Sequence, residues 1–186
     1  MSKDLKNYYK DRDVYDNINY EILDVNVDRK RLEYIRNLDN KNMCFGCYDF
    51  DILIGLLADY YNLEVYYKDI FIGYIGWCIF NNIVNINVIP TIIIKEEYRN
   101  MGFGDILLKK FINTAFLDYY VFDNIYIPID EFNYVSIKLA QKNKFKEFEG
   151  YRKKDYKGLR RQKYYLYTRD DFKKNRKYLE KYGHIF

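Results

Sequence analysis

The spacing of apolar residues changes several times along the chain, and these changes predict alternating strands and helices. Alternating apolar and polar positions predict a first strand over residues 18–26. Leu32, Ile35 and Leu38 then lie on one side of a predicted helix over residues 28–38. The chain therefore opens with one strand and one amphipathic helix.

The next segment combines a helical pattern with two strands. Apolar pairs that recur four residues apart predict a second amphipathic helix over residues 51–61. Residues 63–67 and 70–80 are rich in β-branched and aromatic residues, and Lys68–Asp69 lies between them. This pattern predicts an antiparallel hairpin.

The middle of the chain has the pattern of a strand, a helix and a second strand. Residues 86–94 are almost continuously apolar, which is typical of a strand buried on both faces. Residues 102–118 place apolar side chains at helical spacing, namely Phe103, Ile106, Leu107, Phe111 and Ala115. Residues 122–129 form the next predicted strand. Two strands joined by a helix predict a parallel pair with a right-handed crossover.

The remaining pattern completes a mixed sheet. Its predicted elements are a helix over residues 133–143, strands over 145–151 and 162–168, and a charged helix from Asp170. The fold class is α/β (α+β), with a mixed central sheet of about six to seven strands around a parallel pair. We predict one domain over residues 1–186, with a core at about 18–168 and a charged helical tail at 170–186.

Composition narrows the class of protein. With 49% hydrophobic and 31% charged residues, the chain fits a folded globular domain rather than a disordered one. It has no apolar run of about 18 residues and no signal-peptide pattern at its start, so we expect no membrane partner and a cytoplasmic location. The net charge of +4 is low for a nucleic-acid-binding domain. We expect a monomer or a homodimer.

The cysteines and the single histidine give little support to metal or triad chemistry. Cys44 and Cys47 have CxxC spacing, but zinc prefers four ligands, and Cys78 and His184 are the remaining soft ones. We therefore expect free thiols and no metal, with a metal or redox role for the CxxC pair as the alternative. With His184 as its only histidine, the chain is not expected to use a Ser-His-Asp or Cys-His mechanism.

The sharpest signal for a ligand site is the run Arg99-Asn100-Met101-Gly102-Phe103-Gly104. Its glycines let the backbone approach a ligand closely. The first N–H groups of the following helix have no acceptor inside the helix and carry the positive end of its dipole, so the turn can bind a pyrophosphate. The spacing differs from GxGxxG and from GxxxxGKS/T, which disfavours NAD and ATP. The alternative is a glycine turn that only opens a helix.

At this point the residues resemble the GNAT superfamily of CoA-dependent N-acetyltransferases. The family signature is an apolar strand, an R/Q-x-x-G-x-G/A turn, a long helix, a strand, and N-x-x-S/A at the start of a helix that closes near Gly-Phe. The matching stretches are Ile92-Ile93-Ile94, Arg99 to Gly104, residues 123–129, Asn133-Tyr134-Val135-Ser136 and Lys144-Phe145. The resemblance covers roughly residues 18–168 and implies a GNAT fold.

The resemblance also implies how acetyl-CoA binds. The pyrophosphate would lie on the turn, with Arg99 contributing charge, and Asn133 and Ser136 would approach the pantetheine or the sulfur. The implied cofactor-binding residues are Ile92, Ile93, Ile94, Arg99, Asn100, Met101, Gly102, Phe103, Gly104, Asp105, Asn133 and Ser136. In the family the central parallel strands separate to admit pantetheine. Pro90 and Pro128 lie in those strands here, and each removes a ladder donor.

Several residues depart from the family pattern. Asp105 puts an acid beside the expected pyrophosphate, which weakens anion binding. Ala140 stands where the family often has a tyrosine acid, and Lys144 replaces the glycine of the Gly-Phe pair. Some members carry a glutamate base on the strand before the turn, but residues 86–94 contain no acid.

The predicted activity is an acyltransferase reaction that moves the acetyl group of acetyl-CoA directly to a primary amine of a small molecule or protein, without a metal. The amine must lose a proton before it attacks, so the site needs a base. The candidates are Glu131, Asp130, Asp49 and Asp51, and Tyr126 is the candidate replacement for the missing acid.

A basic stretch over residues 152–163 leaves two other functions open. Such a run is usually a solvated hairpin loop. With Tyr151 and Tyr156 it also suits an anionic acceptor or tRNA, and it disfavours polyamines. The alternatives are a GNAT-fold CoA-binding or interaction module that has lost catalysis, and a tRNA- or nucleotide-binding domain that uses this loop.

Overall fold

The computed structural model describes residues 16–25, 28–38, 57, 60–81, 84–119, 121–148, 162–183 and 185. These residues form seven strands: β1 (Ile18–Ile22), β2 (Tyr61–Tyr67), β3 (Ile70–Asn81), β4 (Ile86–Ile94), β5 (Asn124–Asp130), β6 (Lys146–Phe148) and β7 (Gln162–Thr168). They also form four α-helices: α1 (Arg29–Leu38), α2 (Phe103–Asn113), α3 (Tyr134–Lys142) and α4 (Arg169–Leu179). A π-helical turn over Thr114–Asp118 continues α2. None of the helices in this part of the chain has the length and apolar character that crossing a membrane requires.

The strands form one mixed sheet in the order β1-β2-β3-β4-β5-β7-β6. β4 and β5 are parallel, whereas β1 with β2, β2 with β3, β5 with β7, and β6 with β7 are antiparallel. Helix α2 connects the two parallel strands. The predicted α/β class and the predicted parallel pair are therefore confirmed.

Two predicted boundaries near the start of the chain are wrong. β1 ends at Ile22 rather than at residue 26, and the next residue, Leu23, is buried outside the ladder. Tyr61, predicted as the end of a helix, is the first residue of β2, where its ring stacks on that of Trp77 with centroids 5.2 Å apart. Leu57 is helical and buried, but most of the predicted helix over 51–61 lies outside the described residues.

The predicted hairpin between β2 and β3 is confirmed. Lys68 and Asp69 have φ angles of 50° and 63°, as the two central residues of a type I′ turn require. The ladder shifts register between Val65 and Tyr66. The turn twists the strands in the sense that favours a right-handed sheet.

The chain divides into two compact units. The first combines Met1–Cys78 with Thr91–Leu108, and the second combines Ile79–Pro90 with Lys109–Phe186. A buried cluster of the first unit consists of Leu23, Val25, Leu32, Ile35, Leu57, Tyr74 and Ile93. Helix α1 faces this cluster with the residues that its periodicity predicts. The single domain over residues 1–186 stays a prediction.

An ion pair between a half-buried arginine and a buried glutamate links α1 to β2 within the first unit. The Glu64 carboxylate accepts hydrogen bonds from Nε and Nη2 of Arg31 and from the hydroxyl of Tyr66, the last at 2.5 Å. The Arg31 guanidinium carbon lies 4.0 Å from the centre of the Phe71 ring. Burial and the bond to Glu64 raise the pKa of Tyr66 to about 12. Because the carboxylate is satisfied by these donors, its burial is tolerated.

A buried tyrosine fixes β2 against β3 in the same unit. The Tyr74 hydroxyl donates to Oδ1 of Asn62 at 2.6 Å, and Nδ2 of Asn62 donates to the carbonyls of Leu57 and Tyr60. The Tyr74 ring lies over Gly76, where a Cβ would come within 2.0 Å of the hydroxyl oxygen. Burial raises the pKa of Tyr74 well above its ordinary value, so the hydroxyl keeps its proton.

The C-terminal segment packs on α2 within the second unit. Nδ2 of Asn113 donates to the carbonyls of Leu179 and Gly183 at 2.8 and 2.7 Å. The N–H of Ile185 donates to Oγ1 of Thr114 at 2.9 Å. The charged helix predicted from Asp170 is therefore present as α4.

The parallel ladder between β4 and β5 is short. Its two pairs are Asn87–Asn124 and Val88–Ile125. Pro90 and Pro128 lie beyond these pairs, within the strands in which they are predicted. β5 nevertheless keeps its register with β7 along its whole length, with Pro128 opposite Tyr164. A proline has no N–H to donate, so the sequence accounts for a ladder that ends early.

Candidate functional site

The predicted ligand turn lies between β4 and α2, in the first unit. A 3-10 turn over Glu96–Tyr98 follows β4 and is closed by backbone hydrogen bonds from Tyr98 and Arg99. Asn100 has a φ of 62° and Gly102 a φ of 95°. Asparagine tolerates the left-handed region and glycine occupies it without penalty, so the chain turns sharply into α2.

The start of α2 has no side-chain cap at its first position. Gly102 is the N-cap residue, because its carbonyl accepts the N–H groups of Ile106 and Asp105, both at 3.1 Å. Phe103 and Gly104 are the first two helical residues, and their N–H groups have no acceptor inside the helix. A Cβ placed on Gly102 would meet nothing within 4 Å. Backbone donors of this kind next to an exposed glycine suit a pyrophosphate.

The turn is anchored by one aromatic side chain. Phe103 is buried, and its ring packs edge-on against the rings of Tyr67 and Tyr98, with centroids 5.1 and 6.1 Å away. Asn100, Met101 and Gly102 are exposed. The anchor therefore holds the backbone in place while the turn itself stays accessible to a ligand.

The strand that precedes the turn has two different faces. Ile93 is buried in the core, whereas Ile92 and Ile94 share the other face and are half-buried. Gly73 lets β3 lie close to β4, since a Cβ on Gly73 would come within 2.2 Å of the Ile93 carbonyl oxygen. Ile92 and Ile94 thus offer apolar surface next to the turn.

Arg99 contacts the backbone of the protein. Its Nε donates to the carbonyl of Ile94 at 2.9 Å, and its Nη2 donates to the carbonyl of Leu38 at 2.9 Å. The sequence predicts a different use for this side chain, namely charge for the pyrophosphate. The contact with Leu38 joins residues 61 positions apart, so no local pattern reveals it.

A second group of predicted residues lies in the second unit, around the turn between β5 and α3. Oδ1 of Asn133 accepts the N–H of Ser136 at 3.1 Å, and the main-chain carbonyl of Asn133 accepts the N–H of Ile137 at 3.0 Å. Asn133 is therefore the N-cap of α3. The Asp130 carboxylate accepts the N–H of Phe132 at 2.9 Å and stabilises the same turn.

The two candidate catalytic side chains belong to this second group. Tyr126 lies on β5 with its ring edge-on to Phe148, at a centroid distance of 6.0 Å, and burial raises the pKa of its phenol. A raised pKa keeps the proton on the phenol at neutral pH. Glu131 follows β5 directly. A hydrogen bond to Glu147 and, to a smaller extent, the charge of Glu131 raise the pKa of Lys163.

Two residues that depart from the pattern described above, Ala140 in α3 and Lys144 just after it, have structural explanations. Ala140 is 1% exposed, so a tyrosine at this position would need space that the packing does not leave. Lys144 has a φ of 67°, and the helix ends with bonds from Lys144 N–H to the Gln141 carbonyl and from Phe145 N–H to the Ala140 carbonyl. This is a Schellman motif, in which lysine adopts the left-handed conformation usually supplied by glycine.

Some predicted residues lie outside the described part of the chain. They are Cys44, Cys47, Asp49, Asp51, Tyr151, Tyr156, His184 and the basic stretch before Gln162. Among the residues that are described, no group of three or more His, Cys, Asp or Glu side chains is arranged to hold a metal ion. Cys78 is a free thiol, and burial raises its pKa, which makes it a weak nucleophile at neutral pH.

Known proteins are similar to this chain in sequence pattern and in fold. The sequence pattern of the acetyltransferase (GNAT) family matches residues 19–145. Mutant forms of the spermidine/spermine N-acetyltransferase SpeG from Vibrio cholerae are 19% identical, with a TM-score of 0.66, over 87% of this chain and 99% of that chain. A chimera of the Vibrio cholerae enzyme with hSSAT is 20% identical, with a TM-score of 0.64, over 85% and 99% of the two chains. No curated protein sequence matches. At such identities the structural likeness shows the fold.

Proposed function

The chain belongs to the GNAT family of acetyltransferases, and on this premise we propose that it transfers the acetyl group of acetyl-CoA directly to a primary amine. The family uses acetyl-CoA as its co-substrate. The observation that carries the proposal is the glycine-capped start of α2, where two backbone donors without an acceptor inside the helix follow an exposed glycine. The acceptor is a primary amine on a small molecule or a protein.

The residues of the first unit fit the co-substrate. The N–H groups of Phe103 and Gly104 would hold the pyrophosphate, and Gly102 leaves room for it. Ile92 and Ile94 would contact the pantetheine with their accessible face. The carboxylate of Asp105 in the first helical turn opposes an anion, so we expect reduced affinity rather than loss of binding.

The residues of the second unit supply the proposed proton transfers. Acetyl-CoA brings a thioester carbonyl that is open to attack by an amine, and the carbon–nitrogen bond forms as the carbon–sulfur bond breaks. Glu131 accepts the proton that the ammonium group must lose, and the Tyr126 hydroxyl donates to the departing sulfur. Asn133 and Ser136 stay in the proposed cofactor-binding set. For Asn133 the contact would use the amide nitrogen, since its oxygen caps α3.

Two observations bear on the class of the acceptor. The solved SpeG structures are of enzymes named for spermidine and spermine. The basic stretch over residues 152–163 repels a polycation and suits an anionic acceptor instead. We therefore propose that an acceptor screen contain polyamines together with amino sugars linked to nucleotides.

The first experiment is the melting temperature with and without acetyl-CoA. At about 100 times the dissociation constant, a ligand adds roughly 2.7 kcal/mol of stability. For a chain of this length the melting temperature is expected to rise by about 5 to 11 °C. Acetyl-pantetheine, which lacks the pyrophosphate, is the matched control and should give a much smaller shift. No shift at millimolar acetyl-CoA would contradict the proposal and favour the interaction module.

The proposed base is tested by the pH dependence of turnover. At low pH almost all of the amine is protonated, so Glu131→Gln should lower kcat most there, by about 100-fold, and least at high pH. Asp130→Asn is the control, because Asp130 is the adjacent acid and an amide oxygen can still accept the Phe132 N–H. A pH profile of Glu131→Gln that parallels the wild type would rule out Glu131 as the base. A loss of kcat at low pH that occurs only in Asp130→Asn would assign the role of base to Asp130 instead.

A further inference from the structure

Arg99 is the first residue of the ligand turn, and its side chain connects two element ends. Ile94, whose carbonyl accepts from Nε, is the last residue of β4. Leu38, whose carbonyl accepts from Nη2, is the last residue of α1. All three residues belong to the first unit. The guanidinium therefore holds the end of a helix next to the end of the strand from which the turn begins.

The end of α1 is a natural place for such a cation. The last carbonyls of a helix have no donors inside the helix and carry the negative end of its dipole. Arg99 caps this end from a distant part of the chain. The first half of α1 is fixed separately, by the pair between Arg31 and Glu64 on β2. Helix α1 is thus anchored at two points, and the second point is the ligand turn itself.

We propose that Arg99 is a positioning residue for the acetyl-CoA turn rather than a source of charge for the pyrophosphate. Its two bonds tie the first residue of the turn to the end of β4 and to the end of α1, so that the turn enters α2 with the N–H groups of Phe103 and Gly104 in the geometry that a pyrophosphate needs. Because the two carbonyls accept from different nitrogens, this role requires a side chain with two separate donor nitrogens, here called the guanidinium fork. The consequence for acetyl-CoA rests on the proposed function, whereas the anchoring of α1 does not.

The substitution Arg99→Lys distinguishes a positioning role from a direct charge contact with the pyrophosphate. A lysine keeps the positive charge and can serve as a phosphate partner, but its single nitrogen cannot replace the guanidinium fork. Positioning predicts that Arg99→Lys and Arg99→Gln both bind acetyl-CoA about tenfold more weakly, the effect of about one charge-assisted hydrogen bond. Direct charge predicts instead that Arg99→Lys stays within about twofold of the wild type while Arg99→Gln does not.

The matched control removes a positive charge next to the turn without touching the fork. Lys95 pairs with Glu97 at 2.6 Å, and Glu97 is exposed. We expect Lys95→Gln to change acetyl-CoA affinity by less than about twofold, since Lys95 pairs with Glu97 and takes no part in the two bonds of Arg99. Titration calorimetry at two salt concentrations measures the affinities. Positioning predicts that Arg99→Gln keeps the wild-type salt dependence, because no ionic contact with the ligand is lost.

Hydrogen exchange without ligand tests the anchor independently of binding. The amides in the last turn of α1 should exchange faster in both Arg99 variants than in the wild type and in Lys95→Gln. Wild-type affinity in Arg99→Lys, or unchanged exchange in Arg99→Gln, would overturn the positioning role. If the wild type itself does not bind acetyl-CoA, the proposed function fails, and the exchange experiment still decides whether Arg99 anchors α1.

Discussion

Helices α2 and α4 both have an aspartate at their third position but differ in their N-cap residue. In α4, Oγ1 of Thr168 accepts the Asp171 N–H at 3.1 Å, and the Asp171 carboxylate accepts the Thr168 N–H at 3.2 Å. This reciprocal arrangement is a capping box. In α2, Asp105 holds the same third position, but the N-cap is Gly102, which has no side chain. The first N–H of α4, that of Arg169, donates to the Asp123 carbonyl at 2.9 Å, whereas the N–H groups of Phe103 and Gly104 at the start of α2 have no acceptor inside the helix.

The start of α3 resembles that of α4 more than that of α2. Asn133 caps α3 with its own side chain, so the Ser136 N–H is already satisfied. The resemblance to the family implies cofactor contacts at both α2 and α3. The structure distinguishes them, because Asn133 supplies α3 with a side-chain cap and the first N–H of α3 donates to the Phe132 carbonyl, whereas the N-cap of α2 is a glycine without a side chain. Substitutions at matched positions can test this difference.

The largest effect is expected for a carboxylate placed among the open donors of α2. Gly104 is the second residue of this helix, so Gly104→Asp brings a negative charge to the proposed pyrophosphate position. We expect acetyl-CoA affinity to fall by more than about 100-fold, or about 2.7 kcal/mol. The melting temperature without ligand should not fall, because an acid near a helix start is favourable. Calorimetry and circular dichroism measure the two quantities.

The matched control places the same charge at the same position of α3. Val135 is the second residue of that helix and is 72% exposed, so Val135→Asp should leave the fold intact. We expect its acetyl-CoA affinity to stay within about threefold of the wild type. Equal losses in the two variants would show that the starts of α2 and α3 do not differ in this way. Wild-type affinity in Gly104→Asp would show that the pyrophosphate does not bind at the start of α2.

The sequence predicts the parts of the structure that depend on local pattern. The apolar run over 86–94 and the periodicity over 102–118 predict β4 and α2, because burial determines both patterns. The link from Arg99 to Leu38 has no local signal, since it depends on how the chain folds back. The capping box of Thr168 and Asp171 follows an S/T-x-x-D/E pattern that the sequence does contain.

An intermediate effect is expected for the capping box of α4, and it should depend on pH. Burial opposes ionisation of Asp171, but hydrogen bonds from Lys146 and Thr168 outweigh it and hold the pKa below its ordinary value of 3.8. A depressed pKa contributes stability above the unfolded value, and this contribution is lost as the pH falls through the folded value. At pH 7, Asp171→Asn should therefore lower the free energy of unfolding by about 1 to 2 kcal/mol.

Urea unfolding at a series of pH values checks this sign. The difference between the wild type and Asp171→Asn should be constant from pH 7 to about pH 5 and should shrink below about pH 4. Lys173→Gln is the control, because Lys173 makes an exposed pair with Asp170 on the same helix and contributes little. A difference that stays constant down to pH 3 would mean that the Asp171 charge does not stabilise the start of α4.

The smallest effect is expected at Asn133, where capping and ligand contact can be separated. Serine caps helices about as well as asparagine, whereas alanine does not, so Asn133→Ala should lose about 1 kcal/mol and Asn133→Ser almost nothing. Both variants lack the amide nitrogen, so both should bind acetyl-CoA about threefold more weakly, the effect of one neutral hydrogen bond. Melting curves and calorimetry separate the two quantities. Wild-type affinity in Asn133→Ser would leave Asn133 as a cap alone, and equal instability of the two variants would show that the cap bond to Ser136 does not stabilise α3.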